Sequence, residues 1–278
     1  MAERGDDLSE GRVPMTVTDV NVFLGAYPWR RVPGTSPEAV LSAMDRVGVH
    51  DGWVSHLPSV FWKDPALGNG WLYEVTAREP RLRPVPAVHP EMHGWEGTLA
   101  QAKTRGAPAV RCDPMFYGVE PTGAAMGALV TTCAAAGLPL MMAVRLEDIR
   151  QRHPNDRAGD LPPSAVRALV RADPRVRLLV TQADRGFIEE VHFGSTVDEA
   201  SRIWWDISWI WGPPEDHLAT LIKAMGIDRF VFGTGMPLRI PETSVAKLDL
   251  LGLDQPGRRA IESGNAQDLS LLPQAPVR

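Results

Sequence analysis

The stretch VTDVNVFLG, Val17–Gly25, decides the reading of the fold. It has the composition of a buried strand and ends on glycine, yet an acid and an amide interrupt its apolar run. Two-residue alternation puts Asp19, Asn21 and Phe23 on one face and Val20, Val22 and Leu24 on the other. The apolar face is suited to packing on helices. The other face is expected to point into the interior of a closed sheet.

Outward from this strand the same rhythm repeats along the chain. SPEAVLSAMDRVGV follows it as a helix, with Ser36 as N-cap and Pro37 at the first helical position. Further strand–helix pairs are DGWVSHLP with GNGWLYEVTAREP, LRPVPAVHP with GWEGTLAQAKTRGA, and PAVRCDP with TGAAMGALVTTCAAAGL, closed by Gly137. PLMMAVRLED leads through a polar loop to PPSAVRALVRADP, and VRLLVTQA precedes RGFIEEVHFG, the weakest helical pattern of the set. SRIWWDISWIWG precedes PPEDHLATLIKAMGI, DRFVFGTGMPL precedes PETSVAKLDLLG, and GRRAIESGNAQDLSLL forms an extra C-terminal helix.

Eight strand–helix units in one unbroken series predict an α/β protein, a single (β/α)8 TIM barrel with an added C-terminal helix. The alternative is an open doubly wound sheet. No GxGxxG follows the first strand and no composition break marks two halves, which favours the barrel. The expected organisation is a disordered polar tail over 1–14, the barrel over 15–272, and a short tail over 273–278.

Composition narrows the function classes. A hydrophobic share of 44% and a charged share of 23% suit a globular chain and argue against wholesale disorder. The net charge of −5 gives no reason to expect nucleic acid. Cys112 and Cys133 are too few for a disulfide framework. The opening MAERGDDLSEG has no apolar core of a signal peptide, and no run approaches a membrane span, so a cytoplasmic location is expected.

A barrel places its chemistry at the C-terminal ends of its strands. The inward residues expected there are Asn21 and Phe23, His56, His89, Arg111 and Asp113, Ala143 and Arg145, Gln182, Asp206 and Ser208, and Gly235. Trp29, Trp62 and Trp211 fall in loops that could wall a pocket, and Arg30 and Arg31 could extend a cationic rim.

These segments, in this order, resemble the amidohydrolase superfamily, and within it the amidohydrolase-2 branch of metal-dependent hydrolases and decarboxylases. The resemblance rests on TDVNVFLG, RCDPMFYG, GLPLMMAVRLED, DRFVFGTGMP and SGNAQDL, and covers nearly all of the chain after about residue fifteen. It implies one or two divalent metals held by His-x-His on strand one, histidines on strands five and six, and an aspartate on strand eight. At those positions this chain carries Asn21 and Phe23, Ala143, Gln182 and Gly235, with Arg111 on the fourth strand. No metal ligand and no cofactor are therefore expected.

Within that resemblance Arg111 and Arg145 are read as a clamp for a substrate carboxylate, helped by Asn21, Gln182 and Asp113. The opposing reading pairs each arginine with a nearby acid, Asp113, Glu147 or Asp206. Asp206 is read as the catalytic base, with His89 and His56 as proton-transfer partners; the plainer reading makes the histidines pocket-shaping groups and Asp206 one half of a salt bridge. The expected activity is metal-independent hydrolysis of a lactone or ester C–O bond in a small carboxylated substrate. The competing expectation is a catalytically inactive barrel serving as a binding or partner subunit. The expected partner is a small anionic molecule, with neither nucleic acid nor membrane, and a homo-oligomer or a paralogous subunit is left open.

Overall fold

A computed structural model describes residues 16–271. Both tails expected from the sequence, 1–14 and 273–278, lie outside the described residues. Eight parallel strands alternate with helices as the pattern requires. They are β1 (Thr18–Leu24), β2 (Asp51–His56), β3 (Leu82–Pro84), β4 (Val110–Arg111), β5 (Leu140–Ala143), β6 (Leu178–Thr181), β7 (Ile203–Asp206) and β8 (Phe230–Val231). Between them run α1 (Pro37–Val47), α2 (Asn69–Arg78), α3 (Trp95–Thr104), α4 (Pro114–Tyr117), α5 (Ala124–Ala136), α6 (Pro163–Ala172), α7 (Arg185–Phe193), α8 (Val197–Ala200) and α9 (His217–Met225). After β8 come α10 (Glu242–Leu250), α11 (Gln255–Arg259) and α12 (Asn265–Leu271). The weakly patterned sixth unit does form a helix, α7, because the Asp184 side chain accepts from Phe187 N and caps it.

The strands pair in sequence order as two sheets, β1-β2-β3 and β4-β5-β6-β7-β8. Two seams join them into a barrel. The Ala87–Arg111 bridge links the segment after β3 to β4, and main-chain bonds from Val20 to Phe232 and from Gly235 to Asn21 link β1 to β8. The chain is thus a (β/α)8 barrel.

Alternation along each strand sorts the side chains into layers. Val22, Val54, Cys112, Met142, Val180 and Trp205 pack outward with the helices. Val20, Trp53, Val85, Met141, Leu179 and Trp204 fill the interior, and Ala266 and Leu269 of α12 join that same cluster. On β1 the simple alternation fails. The register against β2 shifts between Asp19 and Val22, so Val20 belongs to the interior while Val22 and Leu24 join the outer layer. An irregular residue in a strand inverts which face its neighbours occupy.

Candidate functional site

Asp206 ends β7 and is completely buried. Its Oδ2 accepts from Asn21 Nδ2 at 2.8 Å and its Oδ1 from the main-chain N of Gln182 at 2.7 Å. Burial raises its pKa above the ordinary carboxylate range. Gly233 makes room for it, since a Cβ there would lie 2.7 Å from Oδ2. Asp19 sits at the β1–β8 seam and accepts from Thr234 Oγ1 at 2.5 Å and from the main-chain N of both Asn21 and Thr234. Burial pushes its pKa up to about 7 despite these donors.

The polar groups around Asp206 are incompletely satisfied. Asn21 Oδ1 and both side-chain amide atoms of Gln182 are buried without a hydrogen-bond partner. Gln182 also takes a positive φ of 59°. Each unpaired buried group costs about 1–3 kcal/mol, and clusters of them in native proteins mark places for water or a ligand.

Over β1 to β4 an apolar cluster caps the strand ends, and the cavity on that side, about 390 Å³, lies on the loop after β1 beside Tyr27, Arg30, Arg31 and Val32. Phe23, Tyr27, Val32, Leu57, Val60, Ala143 and Leu146 form one apolar cluster, with Trp29, Phe61 and Phe116 packed on it. Arg111, the cation read as half of a clamp, is sealed there. Its Nε donates to Asp113 Oδ2 at 2.6 Å, and its guanidinium lies 4.5 Å from the Phe23 ring centre. Asp113 spends its other oxygen on the main-chain N of Ala143. Above them two loops are fastened together: Tyr27 Oη donates to Glu147 Oε2 at 2.7 Å, Arg30 pairs with the same carboxylate, and Trp29 stacks on His153.

His56 and His89 stand apart from Asp206 and from each other. His56 shares the parity of Val54, an outer-layer residue, and is not inward as expected. Its Nδ1 bonds Ser59 Oγ at 2.7 Å, and its ring lies between Trp62 and Trp71. Burial pushes its pKa down to about 4, so it is neutral near pH 7. His89 is buried, accepts from Glu91 N through Nδ1 and stacks on Tyr117.

The side over β5 to β8 is open. A cavity of about 450 Å³ is lined by Arg145, Asp184, Trp209, Trp211, His217 and Arg239 among others. Arg145 does reach it, but its two forks are taken by Asp160 and Asp184, each at 2.7 Å, rather than by the acids the sequence suggested. Arg239 is different. Its guanidinium lies 4.0 Å from the Trp209 ring centre and has no carboxylate partner among the described residues. A second cavity of about 390 Å³ adjoins, sharing Trp209, Trp211 and Arg239 and adding Ser208 and Lys247.

The structure therefore brings Asn21, Gln182 and Asp206 together, places Arg145 at the cavity rim, and sets Arg111–Asp113, His56 and His89 elsewhere. Arg239 lies four residues beyond Gly235, past the strand end, and so falls outside a reading of inward strand-end residues; its N bonds Gly235 O, and a Cβ on Gly235 would lie 3.1 Å from Arg239 Cδ. Among the described residues no group of three or more His, Cys, Asp or Glu side chains could hold a metal ion.

No protein-family model matches the sequence, and no curated protein matches it. Solved structures match in fold. A 2,6-dihydroxybenzoate decarboxylase from Rhizobium superposes with a TM-score of 0.70 at 14% identity, over 92% of this chain and 98% of that one. A 5-carboxyvanillate decarboxylase from Sphingomonas paucimobilis gives 0.71 at 12% identity, over 92% and 99%. A probable 2-pyrone-4,6-dicarboxylic acid hydrolase from Acinetobacter baumannii, with citric acid bound, gives 0.65 at 12% identity, over 92% and 99%. At these identities the likeness is one of fold.

Proposed function

We propose that this chain is an amidohydrolase-related barrel that binds a small carboxylated molecule at the β5–β8 side of its mouth. In this reading it hydrolyses a lactone or ester-type C–O bond in that molecule. The observation that carries it is the juxtaposition of a buried carboxyl, Asp206, with unpartnered Asn21 and Gln182 groups, near the Arg239 guanidinium, which forms no direct ion pair among the described residues and feels Asp206 and Asp148 only at longer range. Arg239 would hold the substrate carboxylate. Asn21 and Gln182 would hold a water, from which Asp206 takes the proton as the water attacks the carbonyl. The fold partners act on carboxylated aromatics or a pyrone dicarboxylate, which is consistent with a carboxylate-binding mouth.

A divalent ion at the place implied by the resemblance does not suit the side chains present. Phe23, Ala143 and Gly235 offer no side-chain donor, and the Arg111 guanidinium beside Phe23 already supplies a positive charge.

One observation favours a non-catalytic binding barrel as the second reading: Asp206 is wholly buried beneath a mouth that is half filled by side chains. A screen of lactones and carboxylated esters, run beside direct binding measurements, separates the two. Turnover lost in both Arg239→Gln and Asp206→Asn supports hydrolysis. Carboxylate binding without turnover of any such compound selects the binding barrel, and turnover untouched by both substitutions overturns the assignment of residues.

A further inference from the structure

The second cavity contains a group that the hydrolytic reading leaves unused. Lys247 projects from α10 toward the end of β7, where its Nζ donates to Ile207 O at 2.7 Å and to Ser208 O at 3.1 Å. No carboxylate among the described residues pairs with it. Its neighbours in the cavity include Arg239, Ser208 and Glu215. Trp209, Ile210, Trp211 and Leu250 supply apolar wall. An amine and a guanidinium thus share one space of about 390 Å³.

We propose that Lys247 is a carbonyl-reactive amine and that the cavity binds 2-oxo acids, Arg239 taking the carboxylate and Lys247 forming an imine at the adjacent carbonyl carbon. The geometry supports this, because Lys247 and Arg239 line the same cavity and the Lys247 Nζ is held by two main-chain carbonyls with no carboxylate ion pair among the described residues. Burial, and then the charge of Arg239, push the Lys247 pKa down to about 8, so a sizeable neutral fraction exists near neutrality.

The chemistry balances with one proton from solvent. The lone pair attacks the carbonyl carbon, and one nitrogen hydrogen moves to the former carbonyl oxygen to give a carbinolamine. That hydroxyl takes up a solvent proton and leaves as water as the C=N bond forms. The protonated imine keeps the second nitrogen hydrogen, enough for the shorter bond to Ile207 O.

The inference stands apart from the hydrolytic reading, because trapping an imine requires no turnover of an ester. The test is incubation of the intact protein with pyruvate or glyoxylate and cyanoborohydride, followed by peptide mapping. The other lysines, Lys63, Lys103 and Lys223, are exposed and serve as internal controls in the same chain. Lys247 should be alkylated faster than any of them by about tenfold or more. Acetone, a ketone without a carboxylate, should lose that preference, and Arg239→Gln should lose it for pyruvate while the three exposed lysines react as before. Circular dichroism of Arg239→Gln and Lys247→Arg establishes that each variant is folded before its labelling is read. Labelling of Lys247 no faster than that of the exposed lysines, or an equal preference for acetone, overturns the proposal.

Discussion

Over β1 to β4 the barrel mouth is packed with Phe23, Tyr27, Leu57 and Val60, and the Arg111 guanidinium beneath them is tied to Asp113. Over β5 to β8 two cavities remain, and Arg239 lines both, stacked on Trp209 and without a direct ion pair among the described residues. The difference follows from what each cation can reach. A guanidinium removed from water must be paired with an acid, whereas one at a cavity wall keeps partial hydration and can await an anion. The closed half shows how a barrel stores charge as structure; the open half shows charge kept available.

The largest effect should come from breaking the closed half. Arg111→Ala leaves Asp113 buried without its cation, which is expected to cost about 3–5 kcal/mol of stability in urea unfolding. A loss below about 1 kcal/mol would mean that water reaches Asp113 and that the two halves do not differ as described. Next is the open half: Arg239→Gln should weaken binding of a small carboxylate by about 10–100-fold, one charge-assisted hydrogen bond, measured by calorimetry. Its unfolding free energy should stay within about 0.5 kcal/mol of the parent, because the side chain makes no ion pair to lose.

A smaller effect is expected where the two loops are fastened. Tyr27→Phe removes the phenol that donates to Glu147, at a cost of about 1.5 kcal/mol, with Arg30 still holding the carboxylate. Unchanged hydrogen exchange in the loop around Glu147 would argue that Arg30 alone fastens it. The smallest effects are pH slopes of opposite sign. His56 has its pKa lowered from 6.5 to about 4, so the folded state binds fewer protons and its contribution to stability is present above 6.5 and lost as pH falls toward 4. Asp19 has its pKa raised from 3.8 to about 7, so its contribution is present below 3.8 and lost as pH rises toward 7. The stability gap between the parent and His56→Gln should therefore shrink on acidification, and that between the parent and Asp19→Asn should shrink on neutralisation. Gaps that move together in one direction contradict this.

Much of the fold was legible because barrel strands must present one face to helices and one to the interior, and that two-residue period survives in the sequence. Where it failed, on β1, the cause was a register shift that no composition signal marks. Asn21, Gln182 and Asp206 are legible as inward groups because Asn21 lies within β1, Gln182 directly follows β6 and Asp206 ends β7. Arg239 and Lys247 were not, since they reach the mouth from a loop and from a helix by the length of their own side chains. The Arg111 pairing with Asp113, two residues on, is one of the alternatives the sequence offers, whereas Arg145 pairs with Asp160 and Asp184, acids on two separate loops that strand alternation does not bring to it.

The interior layer unites Val20, from the first strand, with Ala266 and Leu269, from the last helix. Synthesis delivers these residues in order from one end. On the ribosome, strands β1 to β8 can emerge and begin to pair, yet the innermost layer stays incomplete until α12 leaves the exit tunnel. Truncation ahead of Ala266 should accordingly expose a water-accessible hole among Trp53, Met141 and Trp204, which makes α12 the step that commits the nascent chain to its final state.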